Sequence, residues 1–121
     1  MEREWFEYEF IEFKIFEREL KKFCSSEDEE SDTKNYVAHN RHRGDGVGKS
    51  GMKKLRVPLQ GRGTRGGGRV IYYFTDEGGA FILFMMIYSK SKQEDLSHEE
   101  EVLLNKALQS ELRVIKERGH V

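Results

Sequence analysis

The chain has 121 residues, 21 of them Lys or Arg and 22 Asp or Glu, so its formal net charge is -1. This length suits one hydrophobic core, and we expect a single domain over residues 1–121. The near-neutral balance excludes a uniformly basic nucleic-acid coat protein. The lone Cys24 excludes an intramolecular disulfide framework and favours a reducing compartment.

No segment has the pattern of a membrane or export signal. The first ten residues are acidic and lack the apolar core of a signal peptide. The longest apolar run, Ala80 to Tyr88, is far too short to span a bilayer as a helix. We therefore expect a cytoplasmic protein with no membrane partner.

The first third of the chain predicts one strand and two helices. Aromatic residues alternate with glutamates over Trp5 to Ile11, which is the period of a strand. From Phe13 the apolar residues recur at three and four positions, as in an amphipathic helix. Ser26 and Glu29 have capping-box spacing and predict a second helix. Its apolar face is thin, so we expect a weakly held helix that runs into a loop over Asn40 to Gly51.

The remainder predicts three strands and a final helix. Lys53 to Leu59 alternates apolar and charged residues, and Pro58 indicates an edge or an ending of that strand. Arg69 to Phe74 and Phe81 to Tyr88 are β-branched and aromatic runs, typical of a central hairpin. Ser97 begins a capping box before a last amphipathic helix. The predicted class is α+β, a compact antiparallel sheet of about four strands with two N-terminal helices and one C-terminal helix.

Two short patterns resemble ligand sites but lack the required spacing. Gly44 to Ser50 resembles a P-loop, yet the residue five before Gly48 is Arg43 and no hydrophobic strand precedes it. His39 and His42 are three apart, with no third metal ligand indicated nearby. We expect no nucleoside triphosphate, no metal and no other cofactor.

The chemistry is concentrated in a basic stretch. Lys49 to Thr75 contains seven Lys and Arg and no Asp or Glu. A glycine-rich basic loop between strands lets backbone N–H groups and cations converge on phosphates, which indicates RNA or DNA. Lys54 and Arg56 are two apart and leave the same face of a strand, and Arg69 opens the neighbouring strand. These side chains can converge on one surface.

Such a surface is sufficient for RNA cleavage when the 2′-hydroxyl of the RNA is the nucleophile. Arginine stabilises the charge on the phosphorane, and a lysine packed among cations can act as a general base. From residue types alone, binding without cleavage is the simpler interpretation. The candidate catalytic residues are Lys54, Arg56, Arg69 and Lys90; the candidate substrate-binding residues are Lys53, Arg62, Arg65 and Tyr88.

Four segments together resemble the HigB-like branch of the RelE/ParE toxin superfamily. They are Lys53 to Val57, Gly61 to Phe74, Ile87 to Lys90 and Glu94 to Ser97. The resemblance covers nearly the whole domain and implies the same compact antiparallel sheet. It also implies a toxin of a type II toxin-antitoxin pair, which cleaves mRNA on the ribosome and is neutralised by a helix-turn-helix antitoxin.

The resemblance carries over some site residues and leaves others open. The family's basic positions fall on Lys54, Arg56, Arg69 and Lys90. RelE itself has an arginine directly after the Lys90 position and a tyrosine near Ser97, where this chain has Ser91 and Ser97. The general acid is therefore not assigned by resemblance. Two alternatives remain: a ParE-like inhibitor of DNA gyrase, disfavoured by the basic cluster, and an inactive homologue that only binds its antitoxin.

Overall fold

A computed structural model describes residues 8–59, 63–76, 79–90 and 95–118, with the backbone alone for 63–66. The order of its elements extends the predicted order by one short strand. The elements are β1 (Glu9–Glu12), α1 (Lys14–Phe23), α2 (Glu27–His39), β2 (Asp45–Val47), β3 (Met52–Leu59), β4 (Gly63–Thr75), β5 (Phe81–Ser89) and α3 (His98–Glu117), with a 3-10 turn at Arg41–Arg43.

The strands form one sheet in the order β1-β5-β4-β3-β2. The predicted α+β class is confirmed, and the hairpin of β4 and β5 lies inside the sheet as expected. Two features differ from the prediction of about four antiparallel strands. The edge strand β1 pairs with β5 in parallel, with Glu9 opposite Phe81. The fifth strand, β2, comes from the segment predicted as a loop.

β2 covers only part of its neighbour. Its residue pairs with β3 are Asp45 with Lys54, Gly46 with Lys53 and Val47 with Met52. Beyond Lys54 the outer side of β3 has no strand partner among the described residues. Pro58 lies in this unpaired part, next to a register irregularity between Val57 and Leu59, so the edge position that proline indicated is correct locally.

Each face of the sheet carries its own hydrophobic cluster, because successive strand residues point to opposite sides. The cluster against α1 and α2 contains Phe16, Leu20, Val37, Ala38, Leu55, Val57, Leu59, Val70, Tyr72, Ile82, Phe84 and Ile87. The cluster on the α3 side contains Met52, Ile71, Phe81, Leu83, Met85, Tyr88, Leu108 and Ile115. A residue's cluster therefore identifies the face to which it belongs.

The helix starts follow the predicted caps. The Ser26 hydroxyl accepts a hydrogen bond from the Glu29 amide at 3.2 Å. α2 is longer and better anchored than its thin apolar face suggested, because Val37 and Ala38 are fully buried at its end. The predicted second helix is present, and its C-terminal end is packed into the core. None of the helices in the described parts of the chain has the length and apolar character of a membrane span.

Candidate functional site

Three of the predicted site residues lie side by side across three strands. Arg56 of β3 is opposite Arg69 of β4, and Arg69 is opposite Tyr88 of β5. Residues directly opposite in an antiparallel sheet project to the same side, with Cβ atoms about 5 Å apart. We call Arg56, Arg69 and Tyr88 the basic row. It lies on the α3 side of the sheet, the face to which Tyr88 belongs.

Arg69 is buried, with 3 % of its surface exposed. The sequence placed Arg69 at the opening of a strand, whereas β4 begins at Gly63 and Arg69 lies within it. The row's position inside a five-stranded sheet explains the burial. The Arg69 Nη1 donates a hydrogen bond to the Gly68 carbonyl at 3.2 Å, and within the described residues no carboxylate forms an ion pair with it.

Arg56 stands beside this buried charge and is exposed. No hydrogen bond or ion pair engages its guanidinium in the part of the chain that the structure describes. Like charges directly opposite in a sheet are destabilising, and a buried cation without a paired anion costs further free energy. A phosphodiester group carries the negative charge that this pair lacks, and its geometry matches the planar fork of arginine.

Lys54 adjoins the basic row, and we call Lys54 and the row together the basic surface. It is two residues before Arg56 on the same strand and so projects to the same face. Its ammonium donates a hydrogen bond to the Asp95 carboxylate in an ion pair. Asp95 lies in the segment that leads into α3, and its side chain is 69 % exposed.

The ion pair with Lys54 changes the pKa of the Asp95 carboxyl group. The hydrogen bond from Lys54 is the main cause that holds the pKa of Asp95 below its ordinary value, and the charges of Lys54 and Arg69 act in the same direction. The sequence interpretation placed Lys54 among other cations. The structure gives it a carboxylate partner instead, and Asp95 is a site residue that sequence reasoning missed.

The start of α3 fixes the position of Asp95. The Ser97 hydroxyl accepts a hydrogen bond from the Glu100 amide at 3.1 Å, and the Glu100 carboxylate accepts one from the Ser97 amide at 2.9 Å. This reciprocal capping box is the one that the sequence predicted. It begins two residues after Asp95, so the ion pair of Asp95 with Lys54 joins the start of the helix to the site lysine through a short segment.

The other predicted residues fall in different places. Tyr88 is 6 % exposed within the α3-side cluster. Lys90 directly follows β5, at the same end of that strand as Tyr88 of the basic row. Lys53 pairs with Tyr72, which belongs to the opposite cluster, so Lys53 projects to the face away from Lys54. The side chains of Arg62 and Arg65 lie outside what the structure describes.

A cleft lies beside the basic surface, at the open edge of β3. Its volume is about 330 Å³, and it is lined by Tyr36, Asn40, Arg43, Asp45, Lys54, Leu55 and Arg56. We call it the side cleft. In the sequence, Arg43 was named only in rejecting a P-loop. The segment of β2, which pairs with β3 beside the cleft, contains Asp45 and Gly46, which are residue types depleted in strands, so it was predicted as a loop.

The comparison with known families agrees with this arrangement. Residues 11–118 match the model described as "RelE toxin of RelE / RelB toxin-antitoxin system". The chain belongs to the RelE toxin family. The match begins within β1 and ends just after α3, and it includes every element between them.

As a member of the RelE family, the protein is the toxin of a toxin-antitoxin system, and its partner is an antitoxin. Among the described residues of this RelE-family toxin, no group of three or more His, Cys, Asp or Glu side chains is placed to hold a metal ion.

Proposed function

We propose that this toxin is a ribosome-dependent endoribonuclease of the HigB-like branch, which acts in the cytoplasm on mRNA in the ribosomal A site. The observation that carries the proposal is the pair of opposed arginines, Arg56 and Arg69. Neither has an ion-paired carboxylate among the described residues. A protein that only bound an antitoxin would have no chemical need for a buried cation opposite an exposed one.

The proposed reaction uses the substrate's own nucleophile. The 2′-oxygen attacks the adjacent phosphorus, the bond from phosphorus to the 5′-oxygen breaks, and the products carry a 2′,3′-cyclic phosphate and a 5′-hydroxyl. A base must remove the 2′-hydroxyl proton, and an acid must protonate the leaving oxygen. Arg56 contacts the phosphate from the exposed side, while Arg69 stabilises the phosphorane charge from beneath.

Removal of the 2′-hydroxyl proton is assigned to a residue that flanks these arginines, and the general acid is not assigned. We propose Lys54 as the base, and we keep Lys90 as a catalytic candidate and Tyr88 as a substrate contact at the other end of the row. To act as a base, Lys54 must first leave its ion pair with Asp95. RNA binding brings phosphate oxygens that compete with Asp95 for Lys54, which favours this separation.

The test is cleavage of mRNA on translating ribosomes, with the new ends mapped. Arg56→Gln is the most informative variant, because an exposed side chain can be changed without disturbing the core. We expect a loss of about a hundredfold, equivalent to roughly 3 kcal/mol of transition-state stabilisation. Arg113→Gln, an exposed arginine of α3, is the matched control and keeps full activity.

Two further measurements separate the alternatives. A 2′-deoxy substitution at the cleaved position should leave binding intact and prevent cleavage. Intact messages during growth arrest, together with a fall in gyrase supercoiling, would favour the ParE-like inhibitor. If neither activity accompanies antitoxin binding, the protein is the inactive homologue.

A further inference from the structure

We propose that the side cleft is a binding site for one unpaired nucleobase of RNA, and that it prefers guanine. This inference rests on the proposed function for the identity of its ligand as RNA. It goes beyond that function by assigning recognition residues: Tyr36, Asn40, Arg43 and Asp45. None of these was predicted as a site residue from the sequence.

The position of the cleft connects it to the cleavage chemistry. Lys54 and Arg56 belong both to the basic surface and to the lining of the cleft. A phosphate held by Arg56 therefore has its neighbouring nucleotide at the mouth of the cleft. Beyond Lys54 the outer edge of β3 lacks a strand partner among the described residues, which leaves room for a flat ring.

The size and wall of the cleft suit a base. Its volume of about 330 Å³ is at the lower end of the range for small-molecule sites. Tyr36 is half-buried and packs against the α1/α2-side cluster, so its ring is held in place. A fixed aromatic ring is the usual stacking surface for an unpaired RNA base.

The polar groups of the cleft are partly preorganised. The Asn40 side-chain amide donates a hydrogen bond to the Tyr36 carbonyl at 2.8 Å. Its oxygen accepts one from Arg43 Nη1 at 3.2 Å. These two hydrogen bonds hold Arg43 beside Tyr36. The other N–H groups of the Arg43 guanidinium remain for acceptors on a base or sugar.

The charge of Asp45 indicates that the side cleft binds a base and not a second phosphate. Its carboxylate is exposed, and no hydrogen bond or ion pair engages it within the described residues. A carboxylate repels phosphate but accepts hydrogen bonds from N–H groups. Guanine presents two adjacent N–H donors on its Watson–Crick edge, which two carboxylate oxygens can accept together. The other three bases lack that pair, so guanine is the expected ligand.

The experiment titrates the ¹⁵N-labelled full-length toxin with the four nucleoside 3′-monophosphates. We expect the guanosine nucleotide to shift the amides of residues 36–45 and to bind about tenfold more tightly than the uridine nucleotide. Asp45→Asn should abolish this preference, and Tyr36→Leu should weaken all four nucleotides. Asp32→Asn, an exposed aspartate of α2, is the matched control and changes neither.

Cleavage mapping on ribosomes distinguishes the failure of this inference from failure of the nuclease proposal. If the wild type binds guanosine nucleotide in the cleft but cuts no message, the nuclease proposal falls and the base site stands. If the wild type cuts messages while Asp45→Asn leaves both nucleotide affinity and the cleaved codons unchanged, the base site is wrong. Shifts of residues 36–45 by the antitoxin and by no nucleotide would also overturn it.

Discussion

The burial of Arg69 places a charge where an apolar side chain is the ordinary choice for stability. Replacing a buried charged group by an apolar residue of similar length is often neutral or stabilising. We predict that Arg69→Met raises the free energy of unfolding by about 1 to 3 kcal/mol and reduces cleavage at least a hundredfold. Urea denaturation and the ribosome assay measure the two effects. A destabilised Arg69→Met variant would mean that the arginine supports the fold.

Lys53 and Lys54 provide a test of which face is functional. They are adjacent on one strand and project to opposite sides, so their solvent exposure and charge are similar while their positions differ. Lys54→Ala should lower cleavage by about a hundredfold, whereas Lys53→Ala should change it by less than about threefold. Equal losses in the two variants would contradict the assignment of the site to the α3-side face.

In the proposed mechanism Asp95 competes with RNA for Lys54, which gives a prediction about binding. Removing its negative charge in Asp95→Asn should tighten binding of a short single-stranded RNA by roughly three- to tenfold. Fluorescence anisotropy at fixed salt measures this, with Asp32→Asn as the control. Weaker binding by Asp95→Asn would show that the carboxylate helps to hold the substrate.

The pH dependence of the ion pair follows from the pKa of Asp95, which Lys54 holds below its ordinary value. A lowered carboxyl pKa means that the pair is present above the ordinary range of aspartate and is lost as pH falls through the lowered value. The affinity of the wild type should therefore approach that of Asp95→Asn only under strongly acidic conditions.

At the level of elements, the start of α3 carries the segment that contains Asp95. Loss of an N-cap hydroxyl costs a helix about 1 kcal/mol. Ser97→Ala should therefore lower the free energy of unfolding by about that amount, measured by thermal or urea denaturation. Ser97→Asp, which can still accept the Glu100 amide bond, is the control and should restore most of the loss.

A hydrogen bond between two secondary-structure elements joins the 3-10 turn to β4. The fully buried Tyr72 donates its hydroxyl hydrogen bond to the Arg41 carbonyl at 2.6 Å. Burial raises the pKa of Tyr72 from 10.0 to about 12. A raised folded-state pKa stabilises the protein below pH 10, and this contribution is lost as pH rises from 10 towards 12.

Tyr72→Phe isolates that contribution. The variant should be less stable than the wild type by about 1 kcal/mol at neutral pH, because a buried hydrogen bond is lost. The stability difference between the two proteins should shrink between pH 10 and 12. A constant difference across this range, measured by urea denaturation, would contradict the proposed state of the hydroxyl.

For the whole molecule, the sequence predicted what depends on local patterns. The helix cap at Ser26, the capping box at Ser97 and the hairpin of β4 and β5 are signals within a few residues, and the structure has all three. At Ser26 only the hydroxyl half of the predicted box forms, because the Glu29 carboxylate accepts its hydrogen bonds from Ser25. The parallel pairing of β1 depends on a partner far along the chain, and no local pattern specifies it. β2 pairs with the adjacent β3, but its Asp45 and Gly46 are residue types that are depleted in strands, so this segment was predicted as a loop.

The same limit applies to the candidate site. The two-residue spacing of Lys54 and Arg56 predicted a shared face, and register adds Arg69 and Tyr88 to it. The burial of Arg69 could not be read from its neighbours in sequence. Contact between Lys54 and Asp95 requires the fold to bring β3 to the segment before α3, so composition alone gave no sign of it.

The parallel pairing of β1 with β5 also affects biosynthesis. The partner of Glu9 is Phe81, and such distant pairing forms late because a long chain segment must close first. A nascent chain that has not yet supplied β5 lacks both this pairing and Tyr88. For a protein proposed to attack messages on ribosomes, the basic row needs β3, β4 and β5 together. A ribosome that is still translating the first two thirds of the message therefore carries a nascent chain without a complete row.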